Sequence, residues 1–86
     1  MAHYLVEMYV PRSGERQVRE AETRAAAAAA AMRREGTAIR YLRSVFVPVD
    51  ETCFHTFAAD SIDAVGAAAD RAEMGRVRIV EARVRR

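Results

Sequence analysis

"IRYLRSVFVPVDETCFHTFA", Ile39 to Ala58, is the stretch on which the fold turns. Ile39–Val47 is dense in β-branched and aromatic residues and reads as a strand. "PVDE" (Pro48–Glu51) supplies the turn, and Thr52–Ala58 returns as a second strand of the same hairpin. What lies on either side of that hairpin then settles the architecture.

Upstream, "HYLVEMYV" (His3–Val10) is another strand. Tyr4, Val6, Met8 and Val10 alternate on one wholly apolar face, and His3, Leu5, Glu7 and Tyr9 occupy the other. Pro11 ends it, because proline has no N–H for a ladder. Ser13 is placed as a helix N-cap, with Glu15 near the positive end of the dipole. The helix runs through the alanine-rich segment to Gly36, with Arg33 and Arg34 at its negative end. Val18, Ala25, Ala29 and Met32 share its inner face.

Downstream, Asp60 or Ser61 caps a second helix that Gly75 closes, and Val77–Val84 forms a last strand. The order β-α-β-β-α-β predicts a single ferredoxin-like α+β domain over residues 1–86. Its four-stranded antiparallel sheet carries both helices on one face, with the first and third strands central.

Composition narrows the class. The chain has 86 residues, 51% hydrophobic, and a net charge of +2. Much of the apolar share is alanine, which buries little area, so a core this small gains from a partner. All 14 basic residues are arginine, a bias that suits a GC-rich, actinobacterium-like source. They are interleaved with 12 acidic residues and form no aromatic-flanked basic stripe, which argues against nucleic-acid binding. The N-terminus lacks a signal-peptide pattern and no apolar run is long enough for a bilayer, so a cytoplasmic protein without a membrane partner is expected. One cysteine, Cys53, permits no intrachain disulfide.

Two helices cover one face of the sheet only. On the other, Glu7, Arg43 and Glu81 are expected among Leu5, Tyr9, Tyr41, Val45 and Ile79, while Val80, Ala82 and Val84 turn to the helices. Arg43 is assigned outward because an unpaired guanidinium against the helices is costly. Such a mixed face is too apolar for water and too polar for a core. Homodimerisation through it, enclosing a cavity, answers both problems. Glu7–Arg43 then reads either as an ion pair within the interface or as a grip on a polar ligand.

"YLVE" (Tyr4–Glu7), "LRS" (Leu42–Ser44), "SIDAV" (Ser61–Val65) and "RAEMGRVRIVEA" (Arg71–Ala82) resemble a family of small bacterial proteins. It is the domain of unknown function designated four-two-four-two, whose relatives include an actinobacterial nickel-binding protein. The resemblance implies a ferredoxin-like dimer and raises nickel, or another divalent transition metal, as a cofactor. The strand-one His-His pair of the nickel-binding relatives falls on Glu7 and Met8. Its Cys-Leu-Tyr-Glu-Ala segment, aligned through "SIDAV", puts the cysteine at His55 and the glutamate at Ala58, where no acid stands.

Cys53 and His55 lie two apart on a strand and share a face. They read as a buried thiol with a hydrogen-bonded histidine, as part of a metal site through His55, or as a nucleophile with its base. Which sheet face they occupy stays open, with Phe54 and Thr56 on the other. The expected function is a dimeric binder of a small molecule or metal, using Glu7, Tyr9, Tyr41, Arg43 and Glu81, with His55 as the metal candidate. The rival is a cofactor-free oxygenase, isomerase or cyclase of the dimeric α+β-barrel type, argued from fold analogy.

Overall fold

A computed structural model describes residues 1–85. Strand β1 spans Ala2–Tyr9, helix α1 Glu15–Arg34, β2 Ile39–Val47, β3 Thr52–Ala59, α2 Ile62–Arg71 and β4 Arg78–Ala82, with one 3-10 turn, Pro48–Asp50, inside the hairpin. The sheet order is β2-β3-β1-β4, and every neighbouring pair is antiparallel. This is the ferredoxin-like α+β arrangement the sequence predicts, with β1 and β3 central.

The helices pack on each other and on one side of the sheet, α1 over β2 and α2 over β4, β3 and β1. Tyr4, Val6, Ile39, Phe57, Val65 and Met32 form the core with Ala25, Ala29, Ala68 and Ala72. Alanine at those helix positions lets the backbones approach the sheet closely. Val18, Ala25, Ala29 and Met32 are all buried, as their spacing on α1 requires.

The helix ends depart from the simplest reading. The N-cap of α1 is Gly14, not Ser13, and no side chain caps it. The chain turns tightly after Pro11, with Gly14 N–H donating to the Pro11 carbonyl at 2.8 Å. A Cβ on Gly14 would meet Val10 Cγ1 at 2.7 Å, so only glycine fits there. At the other end, Gly36 adopts φ +99° and Thr37 N–H caps the Met32 carbonyl at 2.9 Å. Ser61 caps α2, accepting from Ala64 N–H at 3.1 Å. That helix stops at Arg71 rather than running on to Gly75. Glu73 turns the chain at φ 54°, and the Met74 N–H caps the Ala69 carbonyl while its side chain enters the core.

Two corrections concern which way strands face. In β2, Tyr41 pairs with Phe57 but Arg43 pairs with Thr56, leaving Leu42 as an extra residue. This bulge breaks strict alternation. Tyr41 therefore faces the helices with Phe57, and Arg43, Val45 and Val47 face away from them. In β4, Ile79 lies opposite Val6 and Glu81 opposite Tyr4. Directly opposed residues share a face, so Ile79 and Glu81 are on the helix side. Val80 and Ala82 face outward, the reverse of the alternation first assigned. Ile79 packs against α2 there, its Cδ1 4.0 Å from the position a Cβ on Gly66 would take, an ordinary van der Waals contact.

Candidate functional site

The register places Cys53, His55 and Phe57 under the helices, and Phe54 and Thr56 on the open face. Polar chemistry therefore divides into two places, one buried and one open.

The buried place lies between α1 and the β2–β3 pair. His55 is fully buried, with Nδ1 2.9 Å from the Tyr41 hydroxyl and Nε2 3.5 Å from Cys53 Sγ. Ser44 lies opposite His55, donates to the Glu22 carboxylate of α1, and is within hydrogen-bonding reach of Tyr41. Ser44 donates to Glu22, and the direction of the remaining contacts follows the imidazole tautomer. Nδ1–H donates to the Tyr41 oxygen and leaves Nε2 to accept from the Cys53 thiol, whereas Nε2–H faces Cys53 and lets the Tyr41 hydroxyl donate to Nδ1. No buried side-chain nitrogen or oxygen among the described residues lacks a partner.

Burial disfavours the charged forms of Cys53, His55 and Tyr41. It pushes the Cys53 thiol up to about 11, with Glu22 adding to the rise. It holds His55 below its ordinary value; Glu22 opposes that shift and Arg24 reinforces it. Tyr41 is pushed up to about 12 by burial and Glu22, with the Ser44 hydrogen bond working the other way. A thiol in this setting is a poor nucleophile, and α1 covers it. The cluster specifies which polar groups meet beneath α1 and presents no reactive atom to a substrate.

The positions that the family resemblance matches to metal ligands do not converge. Met8 and His55 point to the helices, whereas Glu7 and Ala58 lie on the open face. Both ring nitrogens of His55 already have partners. Among the described residues no three His, Cys, Asp or Glu side chains are grouped to hold a metal ion. These residues do not fit a nickel centre.

The open face carries Leu5, Val45, Phe54 and Val80 across its four strands. At the β1 C-terminal end, where β4 stops short, Glu7, Tyr9, Thr52, Arg76 and Arg78 line a groove of about 430 Å³. Glu7 pairs there with Arg78 at 3.3 Å, not with Arg43. Toward the other end, His3, Leu42, Arg43, Thr56 and Val84 line a smaller concavity of about 220 Å³. Arg43 makes no ion pair among the described residues.

Of the residues expected at the site, Glu7, Tyr9 and Arg43 are on the open face but at two ends of it. Tyr41 and His55 are beneath α1. Glu81 is at the β4 edge on the helix side, 3.5 Å from Arg83. Sequence reasoning missed Glu22 and Ser44. The signal for Glu22 was its place one turn from Val18 and beside Ala21 on the inner face of α1; for Ser44 it was a hydroxyl in step with Phe46.

A two-layer ferredoxin-like domain with a half-apolar open sheet face and two concavities on it is the class that fold and geometry define. Comparison of the chain with protein-family models, with curated proteins and with solved structures finds no match.

Proposed function

We propose that this protein is a homodimer that binds a small molecule on the open face of its sheet, a second copy covering that face. The observation that carries this reading is the row Leu5, Val45, Phe54 and Val80 on a face that no helix covers, with Val45 51% exposed. Strands about 4.8 Å apart and eight residues long give roughly 500 Å² of projected face. The relief of its side chains raises the accessible area toward the roughly 800 Å² per partner of a standard interface. The alanine-rich core favours the same conclusion, because a small domain with little buried area per residue gains from burying more.

The polar groups flank this apolar row, a diagonal across the face, on its two sides: Glu7 and Arg78 continue the line of Val45 and Phe54, and Arg43 and Thr56 continue the line of Leu5 and Val80. Closing the face over apolar residues therefore leaves charged concavities at its margins, where a ligand is held by a few oriented polar groups. Native mass spectrometry tests the dimer. The wild-type chain is expected as a dimer at low micromolar concentration, and Val45→Glu as a folded monomer by circular dichroism. A wild-type monomer overturns the reading.

A further inference from the structure

We propose that the concavity beneath the β2 bulge is a site for a small organic carboxylate with an apolar body. The proposal deepens the reading of the open face as a ligand-binding surface and rests on it.

The bulge creates the site. With Leu42 inserted, β2 presents Leu42 and Arg43 side by side where regular alternation would have sent them to opposite faces. Arg43 sits directly across from Thr56, and His3 lies diagonally from Thr56 across the β1–β3 pair. Ala58 is the next outward residue of β3, paired with His3 on one side and Arg40 on the other.

The lining specifies the ligand. Arg43 offers a planar fork of donors with no acid in its own chain to occupy it, a geometry that matches a carboxylate. The Thr56 hydroxyl and the His3 ring add further hydrogen-bonding groups. Leu42 and Val84 form apolar walls, which a bare inorganic anion would leave unused. A single cation suits one negative charge better than a phosphate dianion. The volume, about 220 Å³, lies below the range of roughly 300–1,000 Å³ typical of drug-sized ligands, so the occupant is small.

The test is a titration of the full-length protein with sodium benzoate and sodium hexanoate, followed by amide NMR. Benzamide, hexanamide and inorganic phosphate serve as comparators. Saturable shifts at His3, Leu42, Arg43 and Thr56 are expected with the carboxylates. Affinity should be at least tenfold weaker for the amides and for phosphate. Arg43→Gln should lose at least tenfold in carboxylate affinity while keeping the wild-type fold, and Arg43→Lys should recover part of it. Equal binding of acid and amide, phosphate binding as tightly as benzoate, or wild-type affinity in Arg43→Gln would each overturn the proposal. The oligomeric state is read separately: a dimer that ignores carboxylates sinks this site alone, and a monomer that binds them sinks only the dimer.

Discussion

His55 and Thr56 are neighbours in β3, and they live in different solvents. His55 is wholly buried, both ring nitrogens engaged, in a chain that ends on the Glu22 carboxylate of α1. Thr56 looks out of the sheet beside Arg43, into a concavity open to water. On the helix side, Tyr41, His55 and Cys53 are partnered within the chain, because an unpaired polar group there costs too much. On the open side, Arg43 keeps its donors uncommitted. On the reading proposed above, binding belongs to the face whose polar groups are unsatisfied, and stability to the face where they are satisfied.

That contrast can be broken from the helix side with the largest effect. Phe57 is fully buried between the sheet and the helices, so Phe57→Ala should cost about 3–5 kcal/mol in urea unfolding. A loss below about 1 kcal/mol would mean that this face is loosely packed. Tyr41→Phe comes next. It leaves His55 Nδ1 without its partner and should cost about 1–3 kcal/mol. The His55 nitrogen shifts of the wild type report the direction of that bond: an Nδ1–H signal makes Tyr41 the acceptor, and an Nε2–H signal makes it the donor.

Acid sharpens the comparison further. His55 is held below its ordinary value in the folded state, so the unfolded chain takes up its proton first. Stability should therefore fall as pH drops from about 7 through the unfolded value near 6.5, and level off below the depressed folded value. His55→Gln should flatten that window. It should keep the loss at lower pH that arises from Glu35, whose carboxyl the Arg71 hydrogen bond holds below its usual range. An unchanged slope between about pH 7 and 5 in that variant would place the titration elsewhere.

The smallest effect belongs to the open face. Glu7→Gln removes the ion pair with Arg78, whose side chain is 72% exposed, and should change stability by about 0–1 kcal/mol. A larger loss would show that Glu7 is not solvated in the native assembly.

Much of this architecture was legible in local chemistry. The hairpin Ile39–Ala59, the Ser61 cap and the apolar alternation of β1 each follow from short-range rules, and they compose into one topology. The open face was legible in part. Glu7, Tyr9 and Arg43 lie on it as alternation requires. Strict alternation puts Tyr41 there with Arg43, because a strand's period of two admits no insertion. The bulge is set by pairing with β3, which places Tyr41 opposite Phe57 and Arg43 opposite Thr56, and no residue within β2 announces it. In β4, "VRIVEARV" alternates ambiguously, since Ile79 and Val80 are both good core residues. The strand's facing is set by pairing with β1, which puts Ile79 opposite Val6 and Glu81 opposite Tyr4.

The sequence by itself determined the elements, their order and the burial of the α1 stripe, because helix and strand periodicity, turns and most caps are encoded within a few residues of one another. Only the tertiary structure decided that His55 faces the helices, that Tyr41 and Arg43 part company at Leu42, and that Glu7 meets Arg78 instead of Arg43. Each of those depends on register between strands distant in the chain. A shift of one residue in register turns every side chain of a strand to the opposite face.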